Sequence, residues 1–146
     1  MEAIFGDVAS NLKELTILDG CTILGFQALS GCYNLTEIEI PSSVTNIGYE
    51  AFLGCNSLTN IIIPNSVTNI SFGAFSYCSN LTSIEIPSSV TTIGASAFSN
   101  CDKLEKITLP FVGESKDSNM TLSYIFGNIP SSLKEVIILE GCTSIG

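Results

Sequence analysis

The chain has 146 residues, 45% of them apolar and 13% charged, a composition too rich in core-forming side chains for a disordered polymer. Five basic against fourteen acidic residues leave a net charge of −9, which excludes nucleic acid as a partner and disfavours anionic membranes, since both must be met by Lys and Arg. No apolar run approaches the roughly 20 residues that span a bilayer, so membrane insertion is not expected, and Met1 to Ser10 lacks the basic start and apolar stretch of an export signal.

In chain order, the first feature is a segment that returns at the other end. Ile4 to Gly25, IFGDVASNLKELTILDGCTILG, lies over Ile125 to Gly146, IFGNIPSSLKEVIILEGCTSIG, with thirteen identical positions at a constant offset of 121. Residues 1–146 therefore read as a single solenoid unit, excised from a longer array with a 121-residue superrepeat, and any export signal is expected outside it. Inside the unit runs a shorter period: Leu12, Leu35, Leu58, Leu81 and Leu104 follow one another at a constant step of 23, and Cys32, Cys55, Cys78 and Cys101 keep the same step. A fixed period of this length is the signature of a repeat solenoid, whose layers bury their apolar faces only against their neighbours.

Leu58 to Asn80 serves as the type repeat. Ile61 and Ile63 alternate with Asn60 and Ile62, which predicts a short strand with one buried face. Pro64 ends it, having no backbone donor, as Pro41, Pro87 and Pro110 do in their own repeats. Val67 and Ile70 then point inward along a second short extended segment, and Gly48 and Gly94 suit a turn after it, with Ser71 in their place here. Ala74, Phe75 and Cys78 fall at i, i+1 and i+4, the spacing of one or two helical turns with an inward face. Ala28, Ala51 and Ala97 recur with Ala74, and Phe52 and Phe98 with Phe75, while Leu29 replaces the aromatic ring in the first repeat. Stacked, these units make a parallel sheet on one face, a ladder of short second strands, and short helical turns on the other side.

The fifth repeat is longer, since the step from Leu104 to Leu133 is 29 rather than 23. The extra residues lie in the inserted loop region 110–127. Its polar middle, Glu114 to Asn119, has no apolar period and is expected to project and to be the most mobile internal segment.

The stretch from Ile40 to Pro64, IPSSVTNIGYEAFLGCNSLTNIIIP, combines Ile-Pro, Ser-Val-Thr, Ile-Gly, Ala-Phe and Cys at fixed spacing, and so closely resembles the BspA-like, treponemal-type class of leucine-rich repeats. The resemblance covers nearly the whole chain. It implies a secreted or surface-attached protein, extracellular or on the cell surface, of the kind several of whose members are associated with adhesion to host proteins or other cells.

Candidate chemistry is sparse. There is no histidine, which removes Ser-His-Asp and Cys-His catalysis. Glu37 and Glu39 share a solvent face, and Glu85 is two repeats from Glu39, roughly 10 Å at one strand spacing per repeat, near the separation of an inverting glycosidase pair. No feature buries these carboxylates, so they read as a solvated face and no enzyme is expected. The Asp/Asn/Gly-rich calcium loop and the CxxC zinc spacing are both missing, so neither metal nor cofactor is expected. Cys21 and Cys142 occupy the place held elsewhere by Val44, Val67 and Val90. The cysteines therefore read as small buried apolar side chains in thiol form rather than as disulfides. Asn34, Asn69, Asn80 and Asn119 begin Asn-x-Ser/Thr sequons.

The outward strand positions form two columns, Glu14, Glu37, Asn60, Ser83, Lys106, Glu135 and Thr16, Glu39, Ile62, Glu85, Thr108, Ile137. An acidic surface broken by an aliphatic contact suits a basic or amphipathic protein partner, although a lone surface isoleucine is also ordinary in a strand. The candidate ligand-binding residues are Glu14, Glu37, Glu39, Asn60, Ile62, Ser83, Glu85 and Lys106. The expected function is a non-enzymatic protein-recognition or adhesion module, with a structural spacer and a carbohydrate-active accessory domain as alternatives. Weak end-to-end self-association is also expected, since terminal layers such as that of Ile4 and Phe5, or of Val136, Ile138, Cys142 and Ile145, lack a polar cap.

Overall fold

A computed structural model describes residues 6–118 and 120–142. It is a stack of parallel-stranded turns with a period of about 23 residues, the solenoid that the Leu and Cys steps predict. After a 3₁₀ helix at Gly6–Asn11 come β1 (Glu14–Thr16), β2 (Ile23–Leu24), β3 (Glu37–Glu39), β4 (Asn46–Ile47), β5 (Asn69–Ile70), β6 (Ser83–Glu85), β7 (Thr92–Ile93), β8 (Lys106–Leu109), α1 (Leu122–Phe126) and β9 (Glu135–Ile138).

The first-strand face contains β1 against β3 and, further along, β6, β8 and β9 in that order, all parallel. Asn60 to Ile62 joins this face through a single bridge from Ile62 to Glu85, with the Thr82 N–H donating to the Thr59 carbonyl at 3.1 Å, so the third repeat interrupts the expected continuous sheet while keeping its register. The second strands form an unbroken parallel ladder, β2, β4, β5, β7. Each of its strands meets the next one repeat further on, with Asn46 opposite Asn69 and Ile47 opposite Ile70.

The recurring residues have separate jobs. Leu35, Leu58, Leu81 and Leu104, and Phe52, Phe75 and Phe98, are fully enclosed. In Ser-Val-Thr, the Val is buried while the flanking hydroxyls donate to carbonyls of the preceding layer: Ser66 to Val44 at 2.6 Å and Thr68 to Thr45 at 3.2 Å. The thiols do the same, Cys55 to Leu29, Cys78 to Phe52 and Cys101 to Phe75, at 3.2–3.3 Å. This explains a preference for Cys that simple apolar bulk does not. Cys32, Cys55, Cys78 and Cys101 are buried, Cys21 and Cys142 half-buried, and no disulfide joins the described residues.

The turns predicted from Ala74, Phe75 and Cys78 are present but do not join into helices. Each i→i+3 bond, such as Cys78 N–H to the Phe75 carbonyl at 3.2 Å, alternates with a bond to the next layer, such as Phe75 N–H to the Ala97 carbonyl at 2.8 Å. Positive φ at Gln27, Glu50, Gly73 and Ser96, and again at Gly31, Gly54, Tyr77 and Asn100, redirects alternate N–H groups sideways. Gly94 is needed for another reason than a turn: a Cβ there would lie 2.3 Å from the Phe72 backbone nitrogen.

The inserted region behaves differently from a simple projection. Phe111 and Val112 are buried, the Ile93 N–H donates to the Glu114 carbonyl at 2.8 Å, and Ser115 bridges Thr92 in the antiparallel sense. The insertion thus turns back and closes the end of the second ladder before α1 restores the layer, where Ile125 and Phe126 fill the places of Ala97 and Phe98. Ile4, Phe5, Asn119 and Ile145 lie outside the described residues.

Candidate functional site

Parallel pairing assembles the two columns along the first-strand face. Glu14 is opposite Glu37 and Thr16 opposite Glu39; Ser83, Lys106 and Glu135 follow one another, as do Glu85, Thr108 and Ile137. Ile62 stands beside Glu85 through their bridge, and Glu39 lies one 23-residue repeat before Ile62. Of the candidate residues, Glu14, Glu37, Glu39, Asn60, Ile62, Glu85 and Lys106 are exposed and Ser83 is half-buried. Thr108 departs from the outward pattern: it is only 8% exposed, held in the longest strands between β6 and β9, and Ile137 beside it is half-buried.

The surface these residues make is a shallow groove in three sections. Its largest section, about 520 Å³, is lined by Asn60, Ile62, Ser83, Glu85, Lys106 and Thr108. A section of about 380 Å³ over Glu37, Asn60 and Ile62 leads into another of about 280 Å³ over Glu14, Thr16, Glu37 and Glu39. Ile62 is 77% exposed, so the groove carries a bare aliphatic side chain at its middle. Lys106 Nζ lies 3.0 Å from Glu135 Oε2 with both side chains about half exposed, a surface pair worth roughly 0–1 kcal/mol. With Lys106 so engaged, Glu14, Glu37, Glu39 and Glu85 dominate the potential along the groove and favour a cationic partner.

A second exposed feature escaped the sequence reading. Phe26, Tyr49 and Phe72, two residues after the ends of β2, β4 and β5, stack on one another with ring centroids 5.4 and 5.0 Å apart and interplanar angles of 20° and 18°. They are 51%, 42% and 41% exposed. At this spacing each ring covers its neighbour's face, and the column shows its edges to solvent. Beside it, the Asn69 amide donates to Asn46 Oδ1 at 2.7 Å and the Thr92 hydroxyl to Asn69 Oδ1. Asn69 and Asn80 are both committed to such bonds, Asn80 donating to the Asn56 carbonyl at 2.6 Å. The signal was available in the repeat-length step of Phe26, Tyr49 and Phe72, which ends at Ala95.

Among the described residues no group of three His, Cys, Asp or Glu is placed to hold a metal ion, and no helix is long and apolar enough to cross a membrane. Burial changes the proton affinity of four thiols. Desolvation raises Cys32, Cys55, Cys78 and Cys101, Cys101 to about 12, which makes them poor nucleophiles.

Comparison with known proteins agrees with this geometry. The family model described as BspA type leucine rich repeat region matches residues 2–119 in six copies. Among solved structures, a leucine-rich repeat protein of T. pallidum is similar at TM-score 0.76 and 27% identity, over 89% of this chain and 58% of its own. One from Bacteroides ovatus gives 0.72 and 33%, over 88% and 31%. A leucine rich cell surface protein from Faecalibacterium prausnitzii gives 0.71 and 27%, over 87% and 32%. The chain therefore spans about a third to three-fifths of the structures it resembles. Among curated proteins none matches.

Proposed function

The chain belongs to the BspA-type leucine-rich repeat family, and on that footing we propose that it is a non-enzymatic recognition module, secreted or displayed at a cell surface, that binds a basic or amphipathic protein through its acidic groove. The family suggests protein recognition, and a fold of this type is typically non-enzymatic. The cell-surface description of the Faecalibacterium protein supports the location. The observation that carries the binding reading is Ile62, 77% exposed within a groove that Glu85 lines beside it. Desolvating one aliphatic anchor inside a charged rim is how small contact areas gain affinity.

The test is a binding screen of the chain against extracellular-matrix proteins, mucins and whole cells, followed by Ile62→Lys and Glu85→Lys on any hit. At least a tenfold loss is expected from either variant. Silence across the screen at high micromolar concentration, or a hit that both variants leave unchanged, would overturn the proposal. The spacer reading draws on one observation, the thirteen identical positions of the two terminal segments at an offset of 121. It is favoured if the outward columns of further 121-residue units vary without restriction while inward positions hold.

A further inference from the structure

The strand face is broken at one place inside the stack. On either side of it, the carbonyl just before the first strand accepts two bonds from the threonine of the next layer. Lys13 accepts from the Thr36 N–H at 3.0 Å and its hydroxyl at 3.3 Å, and Thr59 from the Thr82 N–H at 3.1 Å and its hydroxyl at 3.2 Å. Between those two pairs the pattern fails. Among the described residues neither the Thr59 N–H nor the Thr59 hydroxyl donates to the Thr36 carbonyl, and β3 pairs with β1 alone. The second strands of the same two layers stay joined, Asn46 to Asn69 and Ile47 to Ile70, so the layers part only at the first-strand face. Ile38 registers the opening: it is half-buried, whereas Ile61, Ile84 and Ile107 at the same step are at most 4% exposed.

The break is a cleft of about 380 Å³, walled by Thr36, Glu37 and Ile38 on one side and by Thr59, Asn60 and Ile62 on the other. We infer that it receives an arginine side chain of the protein bound in the groove, an assignment that rests on the recognition reading above and adds the chemistry of the anchor. The walls are neighbouring layers, about 4.8 Å apart where strands pair, so what enters between them must be thin. A guanidinium is planar, keeps its charge and carries five N–H donors, whereas a lysine ammonium presents its donors from a compact, strongly hydrated point. The cleft supplies acceptors for such a fork: the Thr36 carbonyl, left by its neighbour, and the Glu37 carboxylate in the same wall. Both ion pairs among the described residues, Lys106 with Glu135 and Lys134 with Glu105, lie at β8 and β9, so neither neutralises Glu37 or Glu39. The methylene stem of the arginine then lies along Ile62.

The experiment is an amide NMR titration of the full chain in about 150 mM salt, with the N-acetyl, N-methylamide derivatives of arginine, lysine and the neutral isostere citrulline as probes. Hydrogen exchange first checks the break: the Thr59 amide should exchange at least about tenfold faster than those of Thr36 and Thr82. The arginine probe should then shift the Thr59 and Asn60 amides saturably. Lysine should bind at least about threefold more weakly and citrulline at least about tenfold, as loss of a charge-assisted hydrogen bond implies. Glu37→Gln should weaken the arginine probe about as much as citrulline does, and Asp102→Asn, which removes a charge that does not line the cleft, should leave it unchanged. The inference is overturned by a Thr59 amide as slow as those of Thr36 and Thr82, by equal affinity for arginine and either analogue, or by equal weakening from Glu37→Gln and Asp102→Asn. The titration uses no protein partner, so it separates this inference from the recognition reading. A protein hit lost through Ile62→Lys or Glu85→Lys but blind to Glu37→Gln, with a silent arginine probe, would remove the anchor and leave the groove.

Discussion

Replacing Phe75 by alanine tests the layered core most directly. The ring is fully enclosed and stacks between Phe52 at 5.1 Å and 9° and Phe98 at 5.5 Å and 0°. An enclosed aromatic side chain buries on the order of 150–250 Å², and at about 25 cal/mol per Å² its removal, less what alanine retains, costs about 3–5 kcal/mol including the cavity. The ring is sandwiched on both faces and its neighbours are themselves packed, so collapse to fill the space is limited and the upper half of that range is expected. Urea titration followed by circular dichroism measures the loss. Because stability in a solenoid is shared between neighbouring layers, the transition should also broaden, as the two halves on either side of the weakened layer uncouple. A loss below about 1 kcal/mol with an unchanged slope would refute the reasoning, since it would put the phenylalanine column at the surface.

Tyr49→Ala removes a ring from the other stack, where 42% exposure and edge-on display leave less to lose; a cost of about 1–2 kcal/mol is expected in the same titration, below that of Phe75→Ala, and the reverse order would mean that the outer column is the structural one. Gly94→Ala forces a Cβ to 2.3 Å from the Phe72 nitrogen, a clash with backbone that no rotamer relieves, and should cost about 1–3 kcal/mol, whereas Gly25→Ala meets nothing within 4 Å and should be neutral or slightly stabilising by thermal denaturation. The raised thiols give a pH dependence whose sign is fixed: above about pH 9 the unfolded chain releases thiol protons that the folded chain retains. Stability should therefore be full below pH 9 and fall toward pH 12, with Cys101 alone contributing about 1.4 kcal/mol per pH unit to the decline. Cys101→Ala should make that decline shallower, and an identical slope in the variant would show that the thiol is not desolvated.

The inward half of the structure was legible because it depends on side-chain identity at a fixed step. Leu58, Val67, Phe75 and Cys78 each recur once per repeat, and a residue that must fill the same hole in every layer leaves a periodic trace. What the trace could not show was backbone-made. The antiparallel closure at Glu114 and Ser115 uses a carbonyl and an extended segment that many sequences supply, so a polar stretch without period read as a projection. Likewise the i, i+1, i+4 spacing of Ala74, Phe75 and Cys78 fits a helix, and only the left-handed residues, some of them Tyr77, Ser96 and Asn100 rather than glycine, show why none forms. The candidate groove was visible as two alternating columns, yet Thr108 is buried because β8 is held between strands on both sides, which depends on where its neighbours end. The exposed aromatic column had the same periodic trace as the core, and exposure was the one property that the period does not encode.

The two terminal segments show how this division bears on function. Between them, inward Leu15 becomes Val136 and stays apolar, while Thr16 on the strand face becomes Ile137 and the exposed Lys13 and Glu14 are kept as Lys134 and Glu135. The layer is held by its inward side chains and by hydroxyl and thiol bonds to the carbonyls of the layer before it, such as Thr45 to Thr22 at 3.2 Å. None of these bonds uses a strand position that faces the groove. A polar-to-aliphatic exchange such as Thr16 to Ile137 therefore leaves the stack's own bonds intact, and the strand face is free to follow what it contacts. Glu135, retained from Glu14, has Lys106 as a partner in its layer. Where a groove residue is tied into the scaffold its identity serves the fold as well, whereas Ile62, bonded to no side chain and 77% exposed, serves only what lies outside. That difference makes Ile62 the side chain whose substitution separates recognition from stability: Ile62→Lys should abolish binding while moving the urea midpoint little, and a large loss of stability would place Ile62 in the scaffold instead.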